Sequence, residues 1–224
     1  MLERLRFPGI TGVEIWDVLV DGAPLHELPA DQLPAAIARA VLDLLVGVAL
    51  RASSSAVVGA RVDEVVVAGG GPVDDVVAAL VAAAVHARAA PDPLFIAAAA
   101  GFRVLRSRGI VNGTVVDLGQ TSAKIAIDGG ARARLPRPPD GLAFARQAAH
   151  ERTVLALPCE IDDDGTLGAC SYWPAGTRLD IDNGLVCNDA ELAAASIAAG
   201  GSATLVLTIG YGVGAAVVHR SVSL

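Results

Sequence analysis

The chain is poor in cysteine and aromatic residues, and it lacks an apolar run long enough to span a membrane. Its three cysteines have no metal-ligand spacing, which favours free thiols in a reducing, cytoplasmic setting. The mean hydropathy of +0.53 comes largely from alanine and valine. One of the longest apolar runs, residues 76–85, falls well short of the roughly 20 residues that cross a bilayer. With no charged-then-apolar signal peptide at its start, the sequence predicts a globular cytoplasmic protein without a membrane partner.

Positive charge is also scarce, since the net charge is −7 and acidic and basic residues are interspersed. Nucleic-acid binding needs a basic stripe, and the nearest candidate is Arg132, Arg134 and Arg137 among prolines. Arginines in such a setting are typical of a solvated strand at the edge of a sheet. We therefore expect no nucleic-acid partner.

Short β-branched runs alternate with alanine-rich helical patterns, which predicts an α/β protein. Residues 114–118, 123–127 and 131–135 have the pattern of three consecutive strands of a meander. A helix is expected to open at Pro72 and to run through Ala90. The segment 94–105 fits either a short strand or a helix.

Three glycine loops follow predicted strands, at residues 69–71, 119–122 and 210–214. Glycine lets backbone N–H groups approach a phosphate closely, although any one such loop is more often an ordinary tight turn. The sequence from Gly210 to Ala215 fits a dinucleotide fingerprint, but only nine residues follow it, too few for the required helix and ribose-binding acid. No GxxxxGK[ST] sequence is present, which excludes a P-loop.

The segment from Asp117 to Lys124 carries the strongest chemical signal. An aspartate at a strand end, a tight turn, hydroxyl residues and a lysine can place a carboxylate near Mg²⁺ and donors near phosphate oxygens. Lys124 is the only lysine in the chain. Strand alternation leaves open whether its side chain points towards this site or to solvent.

Together these segments resemble the sugar kinase, actin and chaperone ATPase superfamily, and most of all its ROK (repressor and sugar kinase) branch. The resemblance runs in family order over residues 111–224 and is carried by four segments: Val115–Ile127, Leu155–Gly165, Val186–Ala195 and Leu205–Val218. It implies a two-lobed ribonuclease H-like (actin-like ATPase) fold with a central nucleotide cleft. It also implies ATP and Mg²⁺ as cofactors and a sugar-like small molecule as substrate.

Site residues follow from the same resemblance. Asp189 would be the general base for the attacking hydroxyl, and Asn188 would orient that substrate. The residues implied in cofactor binding are Asp117 for Mg²⁺, Gly119, Gln120, Thr121 and Lys124 for the first phosphate loop, Gly210, Gly212 and Gly214 for the second, and Gly69, Gly70 and Gly71 beside the adenosine. Without the surrounding motifs, the N-cap of a helix would be the favoured interpretation of Asn188 and Asp189, whereas the motifs together favour catalysis.

The order of the segments implies a circular permutation, because the adenosine-binding part of the family chain lies at the beginning here. The predicted lobes are residues 1–110 with 190–224 on the adenosine side, and residues 111–189 with the first phosphate loop. Two features depart from the family: Gln120 replaces a small residue, and the sugar-binding and zinc-binding segments are absent, with Glu14 as the nearest relic of a sugar ligand. These departures count against a kinase, but a phosphotransferase is still the first hypothesis, and a non-catalytic or polymerising actin-like protein, which forms homo-oligomers, is the alternative.

Overall fold

The computed structural model describes residues 2–13, 19–20, 23–24, 28–29, 31–45, 62–197, 203–210 and 212–219. Its elements in chain order are β1 (Leu2–Arg4), β2 (Ile10–Val13), β3 (Leu19–Val20), β4 (Ala23–Pro24), α1 (Leu33–Leu45), β5 (Val62–Gly69), α2 (Val73–Ala82), β6 (Ala87–Ala89), α3 (Ile96–Ser107), β7 (Thr114–Leu118), β8 (Ser122–Ile127), β9 (Arg132–Pro136), α4 (Gly141–Ala148), β10 (Thr153–Leu157), β11 (Thr166–Leu167), β12 (Thr177–Arg178), β13 (Gly184–Asn188), α5 (Asp189–Ala195), β14 (Ala203–Ile209) and β15 (Val213–Val218). The predicted α/β class is confirmed.

Contacts within the chain define two compact units. The first holds the described residues within 1–8 and 97–196, and the second holds those within 9–96 and 197–223. The boundaries of these units differ from those of the two functional lobes predicted above. The assignment of functions to the lobes stays a prediction. In the part of the chain that the structure describes, no helix combines the length and hydropathy needed to cross a bilayer.

The first unit is built on a six-stranded sheet with the order β1-β13-β10-β7-β8-β9. Strands β1, β13, β10 and β7 are parallel to one another, whereas β8 is antiparallel to both β7 and β9. Leu118, Leu155, Leu157 and Val186 are buried on one face, in a cluster that also contains Ala145 of α4. The carboxyl ends of the parallel strands therefore share one edge of this sheet.

The second unit has a five-stranded sheet with the order β2-β15-β14-β5-β6. Strands β14, β5 and β6 are parallel, and β15 is antiparallel to β14 and to β2. Val65 and Val67 pack with α1 and α2, whereas Val66 between them points to the opposite face and is equally buried. Burial of both faces explains the continuous valine run of β5, as is usual for central parallel strands.

Five strands of the first sheet and the five of the second follow the same plan. In each, a three-stranded antiparallel meander is extended from its first strand by two parallel strands: β9-β8-β7-β10-β13 in one sheet and β2-β15-β14-β5-β6 in the other. The first sheet follows this plan in simple chain order. In the second sheet, the strands equivalent to β7, β8, β9, β10 and β13 are β14, β15, β2, β5 and β6. Their order therefore begins late in the sequence, at β14 and β15, and continues from β2 near its beginning.

The predicted meander is confirmed as β7, β8 and β9, and β9 is an exposed edge strand, as its arginines indicated. The ambiguous segment 94–105 forms helix α3 instead of a strand. The prediction of a helix from Pro72 through Ala90 was wrong at its end. Helix α2 ends at Ala82, Ala84 adopts a φ of 61°, and Val65 N–H then bonds to the His86 carbonyl as β6 joins the sheet.

Candidate functional site

The candidate site lies at the carboxyl edge of the sheet in the first unit. Strand β10 separates β7 from β13, and Ala156 of β10 is paired with Asp117 on one side and Cys187 on the other. Two residues beyond Cys187, Asp189 opens helix α5. Because parallel strands lie about 4.8 Å apart, this register brings Asp117 and Asp189 to the same edge.

Asp117 and Lys124 form a buried ion pair in this site. They are direct partners across β7 and β8, and Lys124 Nζ lies 2.7 Å from Asp117 Oδ2. The Lys124 side chain is only 14% exposed and the Asp117 side chain only 12%. Lys124 therefore points into the site and not to solvent. The second carboxylate oxygen, Asp117 Oδ1, is buried and has no hydrogen-bond partner among the described residues, so one acceptor of the pair is left for a ligand.

Asp189 is the second acidic group of the site and is only partly exposed. Desolvation of its carboxyl, reinforced by the negative charge of Asp117, raises its pKa to about 7, although Lys124 acts in the opposite direction. The Asp189 carboxylate accepts a hydrogen bond of 2.7 Å from Ala190 N–H. A carboxyl group with this pKa exchanges its proton close to neutral pH.

Asn188 has the helix-capping role that its sequence context allowed. Its Oδ1 accepts hydrogen bonds from the backbone N–H groups of Ala190 and Glu191, at 2.9 and 3.1 Å. Its Nδ2 donates to the Cys159 carbonyl at 3.1 Å, which joins the end of β13 to the segment after β10. Both polar atoms of the amide are thus used, and Asn188 fixes the backbone from which Asp189 projects.

The first glycine turn, residues 119–122, borders the Asp117–Lys124 pair. Gly119 N–H donates to the Ser122 carbonyl at 3.0 Å, so this amide closes the turn. Gln120 is partly exposed and Thr121 is exposed at the turn. The backbone of the turn is thereby ordered while its tip stays accessible.

Two side chains that the sequence analysis did not assign to the site hold this turn. Tyr172 Oη donates to the Gly119 carbonyl at 2.9 Å, and Arg137 Nη1 donates to the Gln120 carbonyl at 2.8 Å. The Arg137 guanidinium also lies over the Tyr172 ring, 4.4 Å from its centroid. Arg137 is therefore more than a solvated edge residue. The sequence does not predict this arrangement, because Tyr172, on which Arg137 packs, lies 53 positions from Gly119.

A magnesium ion is compatible with this site. Among the described residues, no group of three or more metal-ligating side chains occurs. Mg²⁺ commonly takes only one or two protein carboxylates and completes its shell with water and substrate phosphates. The unpartnered Asp117 Oδ1 offers one such ligand, and the donor set therefore fits a hydrated Mg²⁺.

In the second unit, two glycine loops follow neighbouring strands. Gly69 is paired with Ile209, so the ends of β5 and β14 lie side by side. Gly69 has a φ of +110°, and a Cβ built on it would lie 2.1 Å from the Ile209 carbonyl oxygen. Gly71 N–H donates to the same oxygen at 3.0 Å. Glycine at position 69 is thus required by the close packing of the two strand ends.

The remaining predicted glycines lie in or beside these loops. Gly210 N–H donates to the Gly212 carbonyl at 2.8 Å. Gly214 is paired with Thr208 inside strand β15, and so belongs to the strand instead of the loop. Gly70 is exposed between Gly69 and Gly71. Tyr211 and Glu14 lie outside the described residues.

The equivalent strand positions of the two sheets carry different chemistry. The last two pairs of the β7–β8 hairpin are Asp117 with Lys124 and Leu118 with Ala123. The last two pairs of β14–β15 are Thr208 with Gly214 and Ile209 with Val213. The plan is shared, but the charged pair of the first unit is replaced by a hydroxyl and a glycine in the second. Ionisable chemistry is thus confined to the first unit at these positions.

No known family model, curated protein or solved structure matches the chain. Its function has to be argued from the geometry of the site.

Proposed function

We propose that this chain is a cytoplasmic ATP-dependent phosphotransferase that moves the γ-phosphoryl group of ATP to a hydroxyl of a sugar-like small molecule. The observation that carries the proposal is the placement of Asp117, Lys124 and Asp189 at one carboxyl edge of a parallel sheet. Ligands of open α/β sheets bind at this kind of edge. Two carboxylates and one ammonium group provide the charges that phosphoryl transfer needs.

In this proposal Asp189 is the general base. The acceptor hydroxyl attacks the γ-phosphorus, the bond to the bridging oxygen breaks, and ADP leaves with that oxygen. The hydroxyl proton passes to the Asp189 carboxylate. A pKa raised to about 7 supports this role, because a base is most effective when its pKa lies near the working pH.

In this proposal Asp117 and Lys124 bind and position the phosphates of ATP and balance their negative charge. Lys124 offers a donor next to the first glycine turn, where phosphate oxygens would bind, and it holds the Asp117 carboxylate in place. Asp117 Oδ1 would be the ligand for Mg²⁺, which when bound neutralises charge on the phosphates. Since Gly119 N–H is used inside the turn, the backbone N–H groups of Gln120 and Thr121 and the Thr121 hydroxyl are the donors proposed for phosphate.

The shared sheet plan supports the two-lobed ribonuclease H-like fold of this proposal. Such a fold needs two related lobes, and each unit has five sheet strands that share one order and one pattern of parallel and antiparallel pairing. The cyclic chain order of the second sheet, from β14 and β15 to β2, supports the proposed circular permutation. Permutations of this kind are tolerated where the original termini lie close together at the surface.

A non-catalytic or polymerising nucleotide-binding protein is the second candidate. It is favoured because four loop amides already donate to carbonyls of their own unit and so cannot stabilise a phosphoryl group during transfer. These are the amides of Gly69, Gly71, Gly119 and Gly210. The ion pair with Lys124 also offsets the charge that Asp117 would present to Mg²⁺. Reversible light scattering that depends on ATP would support this candidate over the kinase.

The kinase proposal is tested by measuring ADP release from MgATP with a panel of sugars and polyols. Wild type should release ADP with at least one acceptor, and Asp189→Asn should lose this acceptor-dependent release while keeping ATP binding. Asp163→Asn is the matched control, because Asp163 is an exposed partner of Arg6. Full activity in Asp189→Asn would reject Asp189 as the base. Absence of ATP binding in wild type, measured by calorimetry, would reject the proposal as a whole.

A further inference from the structure

Two of the three cysteines lie together in a hairpin of the first unit. Gly168 N–H donates to the Glu160 carbonyl at 2.9 Å, and Ile161 is bridged to Leu167, so the arms around residues 160–168 are antiparallel. Cys159 lies just before this pairing and Cys170 lies shortly after it. The two side chains belong to one apolar cluster, Cys159 buried and Cys170 partly exposed.

The surroundings make the two sulfurs chemically unequal. Cys170 Sγ accepts a hydrogen bond of 3.4 Å from Tyr172 N–H. The hydrogen bond from Cys159 is the main cause that lowers the pKa of Cys170 to about 6, and the charge of Arg137 adds to this effect. The same hydrogen bond and burial raise the pKa of Cys159. Cys170 is thus the accessible thiolate and Cys159 the protonated neighbour behind it.

We propose that Cys159 and Cys170 are a peroxide-reactive pair that closes into a reversible intrachain disulfide. The geometry points to this because the paired arms of one hairpin place both residues in the same apolar cluster, with Cys159 buried and Cys170 partly exposed. The proposal concerns a modification site and does not depend on the function proposed above. In a reducing compartment, disulfides are usually transient and serve redox sensing.

The oxidant in this step is a hydroperoxide. The Cys170 thiolate attacks one peroxide oxygen, the O–O bond breaks, and the sulfur becomes a sulfenic acid while hydroxide leaves. Cys159 sulfur then attacks the sulfenic sulfur, the S–O bond breaks, and water leaves as the S–S bond forms. Two thiols and one hydrogen peroxide thus give one disulfide and two waters, and a thiol reductant reverses the change.

The disulfide would form next to the candidate site. The Cys159 carbonyl accepts the hydrogen bond from Asn188 Nδ2, and Tyr172, two residues after Cys170, holds the Gly119 carbonyl. Oxidation would therefore change the two segments that fix the helix cap before Asp189 and the first glycine turn. Cys187 offers an internal reference, because it is buried and burial raises its pKa well above the usual range.

The test treats the reduced protein with an equimolar amount of hydrogen peroxide, alkylates the remaining thiols after denaturation and maps the peptides by mass spectrometry. We expect a peptide pair joined through Cys159 and Cys170, with alkylation confined to Cys187, and full recovery of three alkylated thiols after reduction. Oxidation of Cys170 to sulfinic acid without a disulfide would overturn the proposal. So would oxidation of all three cysteines to the same extent.

Variants separate the two steps. Cys159→Ser should stop at a Cys170 sulfenic acid that dimedone traps, Cys170→Ser should resist the same peroxide dose, and Cys187→Ser should form the disulfide like wild type. A disulfide that depends on Cys187 would contradict the pairing. Alkylation rates of folded wild type, followed against pH, provide a test without substitution. Cys170 should react half-maximally near pH 6, and a midpoint in the usual thiol range would contradict its role as the attacking group.

Discussion

Lys124 faces Asp117 across neighbouring strands, with its Nζ atom 2.7 Å from Asp117 Oδ2, and this buried pair is the electrostatic centre of the first unit. Its position beside Asp189 means that each charge of the site depends on the others. Lys124 lowers the pKa of Asp189, whereas Asp117 raises it. Substitutions at the pair should therefore change both stability and the titration of the candidate base.

Lys124→Met should destabilise the protein by about 3 kcal/mol, because removal of one partner leaves a buried, unpaired carboxylate. Arg6→Ala is the matched control. Its pair with Asp163 is exposed on both sides, at 64% and 71%, and such pairs contribute about 0–1 kcal/mol. Urea unfolding at pH 7 measures both. A double variant, Lys124→Met with Asp117→Asn, should regain stability, and equal losses in Lys124→Met and Arg6→Ala would contradict the burial of the pair.

The contribution of Asp189 to the stability of the protein should fall as pH rises from about 4 to 7. Asp189 has a pKa of about 7 in the folded state against an ordinary value of 3.8. Between these values the unfolded chain has released the proton that the folded chain keeps, so each increase in pH favours unfolding. Above about pH 7 both states are ionised and this contribution becomes constant.

Asp189→Asn removes that titration and should therefore raise stability at pH 8 by on the order of 3 kcal/mol, while changing little at pH 3. The asparagine can still accept the hydrogen bond from Ala190 N–H. Thermal unfolding across this pH range measures the difference between the two proteins. An identical pH dependence of wild type and variant would show that Asp189 has an ordinary pKa.

Gly69→Ala should destabilise the second unit strongly. The new Cβ would lie 2.1 Å from the Ile209 carbonyl oxygen, at a φ of +110° that is unfavourable for alanine. Gly210→Ala is the matched control, since no described residue other than its chain neighbours lies within 4 Å of a Cβ at that position. We expect a fall of several degrees in Tm for the first variant and little change for the second. If Gly210 approaches a phosphate, Gly210→Ala should weaken ATP binding in calorimetry without loss of stability.

Asn188→Ala should cost about 1 kcal/mol through the lost helix cap. Asn188→Asp keeps an acceptor for Ala190 and Glu191 but removes the donor to the Cys159 carbonyl. If Asn188 acts by capping alone, the aspartate variant should keep wild-type stability and kcat/KM. Loss of kcat/KM in both variants would assign a role to the donor. Urea unfolding and steady-state kinetics on the same preparations separate the two effects.

Local patterns predicted much of this structure. Asp117 was found because it lies at the end of a β-branched run, whereas Asp189 was assigned only through the family resemblance. Asp140 was overlooked as a helix signal, although its side chain accepts from Ala143 N–H and starts α4. Its neighbours Pro138, Pro139 and Gly141 gave the segment the composition of a loop.

Contacts between distant residues could not be predicted in the same way. The bond from Tyr172 to Gly119 and the place of Cys159 and Cys170 in one apolar cluster depend on how the hairpin after β10 folds back. Neither has a periodicity or a spacing that a single sequence displays. The prediction of a helix through Ala90 was wrong for a related reason. Residues 87–89 pair with β5 at the edge of the sheet, and this pairing is not visible in the local sequence.

The interleaving of β2, β5 and β14 in one sheet has a consequence for synthesis on the ribosome. Strand β14 lies between β15 and β5, but it emerges more than a hundred residues after β5. Until then the valine-rich edge of β5 stays without its central neighbour, and unpaired apolar edges promote aggregation. The first unit obtains nearly all of its strands from one continuous stretch, and nascent chains should acquire protease resistance there before the second unit closes.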